Sequence, residues 1–238
     1  MSAYEPGIKR NWPTVVALSG ALAFWVFYTP GVETVLSALF PGADVLTYER
    51  TPMPRLLAQH LELVTVAAVL AVAIGAAAGL FVATPGGRAL RGVVDRVATF
   101  GQAVPSVAIM AIAVPSLGYG STPVLVALVL FSILPVMANV VAGLENVPAD
   151  VVEAGKGMGM SGPQRLRQLE IPLALPVIMT GIKTMLVILV SAAALGAVVG
   201  AGGLGVAILS GIGSFNNAVV AHGAVPAILL ALIVDRSL

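Results

Sequence analysis

Residues 97 to 144 carry no charged side chain, and between Glu170 and Asp235 the only one is Lys183. A soluble domain would have to hide runs of that length beneath a polar surface that this chain cannot supply. Ordinary domains carry about 25% charged residues, whereas this one has 10%, against 58% hydrophobic. A bilayer removes the difficulty, because its hydrocarbon core, about 30 Å thick, is crossed by about 20 residues of apolar helix. Six segments satisfy that demand: 13–30, 61–83, 97–117, 124–144, 173–199 and 218–234. The sequence therefore predicts an all-α integral membrane protein with six transmembrane helices, since a helix satisfies its own backbone in lipid.

Placing these spans sorts the cations. Lys9, Arg10, Arg88, Arg91, Arg96, Lys156, Arg165, Arg167 and Arg236 fall on one side, Arg50 and Arg55 on the other, and Lys183 inside the fifth span. The excess of basic residues marks the cytoplasmic side, which is then expected to hold both termini and the loop 146–172. Trp12, Trp25, Phe27 and Tyr28 flank or end the first span, as interfacial aromatics do. A cleaved signal peptide is the other reading of this span, although its apolar run exceeds the usual ~7–15 residues. Residues 31–60, with Pro41, Pro52 and Pro54, read as an outer connector.

The net charge of +1, from 12 basic and 11 acidic residues, gives no electrostatic footprint for a nucleic-acid partner. Cysteine is absent, which excludes disulfides and thiolate chemistry. His60 and His222 are the only histidines and have no carboxylates at ligand spacing, so no metal site is expected.

The loop 146–172 differs from its surroundings, because residues 150–170 hold six charged residues and a run of glycines. It reads as two short helices with a break between them. Pro148 suits a helix start, and Asp150 and Glu153 place negative charge near the positive end of the helix dipole. Val151, Ala154 and Met158 then form a narrow apolar stripe. Gly155, Gly157 and Gly159 stop this helix near residues 157–159. Ser161 with Gln164 three residues later fits a capping box, Pro163 suits the first turn, and Pro172 marks re-entry into the membrane.

Glu153-Ala154-Gly155, three residues, Gly159, nine residues, then Leu169-Glu170-Ile171-Pro172 resembles the EAA loop of ATP-binding-cassette importer permeases. Gly155, Leu169 and Ile171 depart from that pattern conservatively. From Leu56 to Asp235 the chain is similar to permeases of osmoprotectant importers, the glycine betaine, carnitine and choline group, through "GQAVPSVAI", "LFSILPVMANVVAGL", "EAGKGMGMSG", "IPLALPVIMTGIKT" and "GAGGLG". The resemblance implies that the last five helices form a type I importer core over residues 56–238. Residues 1–55 then form an N-terminal extension with one extra transmembrane helix. It also implies that Val151, Glu153, Ala154, Gly155, Gly159 and Pro172 belong to a coupling element seated in separate ATPase subunits. Those subunits would use the ATP and Mg, this chain carrying no cofactor and having no enzymatic activity of its own. Further partners would be a second permease copy or paralogue and an extracytoplasmic solute-binding protein, in a bacterial or archaeal cell membrane.

Polar residues within spans are costly and mark pathways or interhelical bonds. Gln102 and Pro105, where a proline should loosen the helix, and Asn139 are the candidates to line a pathway, an interhelical bond being the other reading of Asn139. Lys183 reads as a snorkelling residue toward the cytoplasmic end of its span. Gly200, Gly202 and Gly205 spell a dinucleotide fingerprint but follow a helix-length run with no acid some 20 positions on, and no phosphate-binding loop motif with its lysine occurs. An amino-acid or other small-solute permease is the alternative substrate class. An ion-coupled secondary transporter, which needs acids deep in the spans, is the remote one.

Overall fold

The computed structural model describes residues 12–84, 86–94, 96–97 and 104–238, and all regular structure among them is helical. The principal helices are α1 (Trp12–Phe27), α2 (Thr29–Leu39), α3 (Met53–Ala83), α4 (Ser106–Leu117), α5 (Ser121–Glu145), α6 (Ala149–Gly157), α7 (Gly162–Arg165), α8 (Ile171–Ala193), α9 (Gly205–Gly213) and α10 (Asn217–Ser237). A π turn, Leu166–Glu170, joins α7 to α8, and a 3₁₀ stretch, Ala194–Val199, extends α8.

Four helical stretches are long and apolar enough to cross a membrane: α3, α5, α10 and the continuous Gly162–Val199. The pair α1–α2, bent by 96°, passes the same test only when its two helices are taken together as one broken span. Of the third predicted span, 97–117, the helix among the described residues is α4, 12 residues long. Gln102 lies outside the described residues. Pro105 is not inside a helix as the sequence suggested. It adopts an extended conformation (ψ 130°) and caps the start of α4, so it begins a helix rather than loosening one.

The centre of the bundle is α3 packed on α5. Gly75 and Gly79 form a G-x-x-x-G face on α3, and a Cβ on either would come within 2.7–2.8 Å of Val136 or Val140 on α5. Small residues at this spacing let two backbones approach closely, which is the main way helices associate where lipid tails are as apolar as leucine. Around this contact Met110, Leu128, Met185 and Leu189 are buried together. On the next interface Gly181 of α8 receives the side chain of Asn139.

The predicted connector 31–60 is largely helical. The chain turns sharply at Tyr28, Pro30 starts α2, and Val32 and Leu36, one turn apart, are buried with Trp25. α3 begins at Met53, eight residues before the predicted span. Its first two turns look polar in sequence, yet His60 is fully buried with Nε2 3.1 Å from the Val190 carbonyl. Gln59 Oε1 accepts a bond of 3.2 Å from the Gly203 amide. Gly202 and Gly203, with φ of +83° and +81°, hold the left-handed turn that brings that amide there. The glycine run is thus a structural corner against α3.

α9 was not expected from sequence, where 200–217 was an outer loop. It pairs antiparallel with α10, because Gly211 sits against Val220 and Gly223 against Ala207. Trp25 is likewise not interfacial: it is 9% exposed and donates through Nε1 to the His222 carbonyl at 3.0 Å. Trp12, Phe27 and Tyr28 remain exposed.

Candidate functional site

The polar loop projects from the end of the bundle where α5 finishes and the α7–α8 rod begins. Arg91, just past α3, pairs with Glu145 at the last turn of α5. Lys183 Nζ lies 3.3 Å from Asp235 Oδ1, tying α8 to the last turns of α10. The fifth-span lysine is therefore paired near a span end, not placed in mid-bundle.

Pro148 caps α6 from an extended conformation, and Asp150 occupies the first turn while Lys156 occupies the last. Both charges suit the helix dipole. Glu153 and Lys156 pair at 2.7 Å on the open surface. The Lys156 hydrogen bond, then its charge, holds the Glu153 carboxyl below its ordinary value. The helix stops at Gly157, and Gly159, at φ +76°, takes the left-handed turn that redirects the chain. The Ser161–Gln164 capping box forms in both directions, at 2.9 and 3.4 Å, and opens α7.

The widened turn that follows has a local cause. Pro172 lacks an N–H and its ring crowds the carbonyl four residues back, and the π turn Leu166–Glu170 immediately precedes it. Ile171 N reaches back five residues to the Leu166 carbonyl. Five-residue spacing also lines up Arg165 and Glu170, whose Nε–Oε1 bond is 2.6 Å with both side chains about four-fifths buried. In an ordinary α-helix only three- and four-residue neighbours face each other, which is why this brace was not visible in sequence. Pro172 does not interrupt the chain's entry into the bundle, since α7 and α8 run as one stretch through Gly162–Val199.

Gly155 is the buried residue of α6, and a Cβ there would come within 2.8 Å of Leu169 Cδ1 and 3.4 Å of Arg165. Its close approach is to the chain's own second helix. Val151 is half-buried, whereas Glu153, Ala154, Gly159 and Pro172 are exposed. Met158, the third member of the predicted stripe, is 70% exposed. The result is a nine-residue helix braced along one line to the α7–α8 rod, with an acid, a small residue and a flexible apolar side chain open to a partner.

The pathway candidates are not gathered with this loop. Asn139 lies within α5, and its Nδ2 donates to the Pro135 carbonyl of its own helix at 2.8 Å while its side chain packs on Gly181. His222 accepts the Tyr48 amide through Nδ1 at 2.9 Å, as a bundle residue.

Residues 75–238 match the family of binding-protein-dependent transport system inner membrane components. Among curated relatives, the chain is 39% identical to the glycine betaine/carnitine/choline transport system permease protein OpuCB of Bacillus subtilis (strain 168), over 74% of this chain and 81% of that one. It is 36% identical to the osmoprotectant import permease protein OsmY of Salmonella typhimurium, covering 87% and 89%. Among solved structures, an inward-facing form of the MetNI methionine ABC transporter superposes with a TM-score of 0.68 at 25% identity, covering 78% of this chain and 94% of the other. Family match, curated likeness and fold agree, so the chain belongs to the binding-protein-dependent transport system inner membrane components, as a membrane-spanning permease of the ATP-binding-cassette importer class.

Proposed function

We propose that this chain translocates a small compatible solute of the glycine betaine, choline or carnitine type, driven by separate ATPase subunits that bind its α6. The observation that carries the substrate class is the 35–39% identity to curated permeases named for those solutes. The exposed, braced helix α6 supports the coupling role. Glu153 offers a charge-assisted bond to the ATPase, Ala154 and Met158 offer an apolar contact, and Gly159 sets the angle at which the helix is presented.

Val151 and Gly155 act behind that surface, holding α6 to the rod. Pro172 acts with the π turn to carry displacement of the rod into the bundle. Driving a bundle from about 1:99 to 99:1 between two states needs roughly 5.5 kcal/mol of differential binding, which the ATPases supply from ATP and Mg. This chain contributes no cofactor.

In the assembly two permeases, two ATPases and an extracytoplasmic binding protein work together in a bacterial or archaeal cell membrane, with both permease termini and α6 in the cytoplasm. Residues 1–55 are an extension on the 56–238 core. Gln102, Pro105 and Asn139 are its pathway candidates.

The test is reconstitution with the partner subunits in proteoliposomes. Glu153→Ala and Gly159→Asp are expected to reach the membrane yet lose solute-stimulated ATP hydrolysis. Normal stimulation in both would overturn the coupling role. Uptake of labelled betaine and choline, in competition with amino acids, decides the substrate class, because solved structures of this fold include a methionine transporter and an amino-acid transporter.

A further inference from the structure

Glu62 stands out among the acidic residues. It lies on α3, within the predicted span, yet forms no ion pair or hydrogen bond among the described residues, and its side chain is exposed. Its neighbours on the open side of the helix, Leu61, Val66, Val69 and Leu70, are apolar and exposed as well. A carboxylate without a partner on such a face is costly unless it meets water, a cavity or a ligand. Glu62 meets a cavity.

That cavity, about 240 Å³, lies between α3, the start of α5 and the corner after the 3₁₀ stretch. Gln59, Glu62 and Ser121 supply its polar atoms, and Val66, Leu125 and Ala201 its apolar wall. Its position is fixed by bonds already described or adjoining it. Gly203 N donates to Gln59 Oε1, and Gly120 N, beside Ser121, donates to the Val199 carbonyl at 2.8 Å. These bonds belong to the end of the bundle opposite α6, because α5 runs from Ser121 at this end to Glu145 at the other.

We infer that Glu62, with Gln59 and Ser121, forms an outer binding site for the cationic head of a small solute, a quaternary ammonium group. The site deepens the proposed function and rests on its reading of the chain as a permease for such solutes. Three properties define the ligand. A carboxylate is an acceptor-only group that attracts positive charge and needs no N–H from it. The volume is below the ~300–1,000 Å³ of pockets for drug-sized molecules, which limits the occupant to a few heavy atoms.

Among the described residues no aromatic side chain lines the cavity, so the cation is held by charge and size. A consequence for selectivity follows. A zwitterion brings its own carboxylate toward Glu62, and like charges repel, so a purely cationic solute such as choline binds better here than glycine betaine. Gln59, whose oxygen is committed to Gly203, keeps its amide nitrogen for the hydroxyl end of the solute.

The test uses the ATPase–permease complex in nanodiscs without binding protein, with choline and tetramethylammonium as probes. Wild type is expected to bind both at equilibrium and choline more tightly than glycine betaine. Glu62→Gln, which keeps shape and removes charge, is expected to weaken choline at least about tenfold, and Glu62→Asp to restore part of it. In proteoliposomes with binding protein, Glu62→Gln should raise the KM for choline more than for betaine.

Unchanged choline and tetramethylammonium binding in Glu62→Gln overturns the site. If wild-type proteoliposomes transport neither choline nor betaine while the nanodisc complex still binds tetramethylammonium through Glu62, the substrate reading fails and the cation site stands. Absence of tetramethylammonium binding in wild type sinks the site whatever the transport result.

Discussion

At the end of the bundle opposite α6, Trp25 Nε1 bonds to the His222 carbonyl, Tyr48 N to His222 Nδ1, Asn216 Nδ2 to the Val45 carbonyl and His60 Nε2 to the Val190 carbonyl, partners 130 to 197 residues apart. In the loop around α6, Glu153–Lys156, Ser161–Gln164 and Arg165–Glu170 are partners only three to five residues apart. Both regions are polar islands in an apolar chain, but they are built differently. The long-range joint exists only when the first helices, α3 and the last helix are already assembled, so it shares the stability of the whole bundle. The loop holds its shape with its own residues, and such locally closed units open at lower free energy than the core. The coupling role proposed for α6 suits the second design.

The largest effect that sharpens this contrast is expected at Gly205, where the Ala194 backbone occupies the place of any Cβ. Gly205→Val forces the corner between the 3₁₀ stretch and α9 apart, and overpacking of this kind costs about 1–3 kcal/mol or more. Thermal unfolding of the purified protein should show a steep drop.

Next is His222→Ala, which leaves the Tyr48 amide without its acceptor. A stranded donor costs about 1–3 kcal/mol, and the loss should appear as a lower Tm together with faster hydrogen exchange at both residues 44–50 and the start of α10. Ser161→Ala removes the cap of α7 at about 0.5–2 kcal/mol of local stability. Its signature is faster exchange confined to the loop, with the global Tm nearly unchanged. Equal Tm losses in His222→Ala and Ser161→Ala would break the contrast.

The smallest effect belongs to Glu153. Its carboxyl is fully exposed, so Glu153→Ala should leave Tm unchanged while abolishing ATPase coupling. The Lys156 contact lowers the carboxyl's titration point, so whatever it adds is complete above the ordinary carboxylate value and fades as the pH falls through the lowered one.

The contrast also explains what could be read from sequence. The capping box at Ser161 and Gln164 and the stop at Gly157–Gly159 depend on neighbours a few positions away, and both were legible. So were the apolar spans, because a bilayer sets their length independently of what packs on them. α2 and the first two turns of α3 were not. Glu33, Arg55, Gln59 and His60 look like connector residues until Val190, Gly203 and the last helix are brought against that region from over a hundred residues away. Trp25 was misplaced at an interface for the same reason, since its indole partner is the His222 carbonyl. In the loop, Gly155 read from sequence as one of the glycines that stop the helix, whereas it lies inside α6 against Leu169, an approach that depends on the angle the π turn gives the second helix.

That single wide turn also fixes the rotational phase between the α6 tip and everything beyond it. Each residue of an α-helix advances the chain by about 100°. One residue added or lost between Gly162 and Gly181 would therefore swing the notch that receives Asn139 to another side of the cylinder. Length changes that an exposed loop absorbs unnoticed would here put the α6 tip out of register with the bundle.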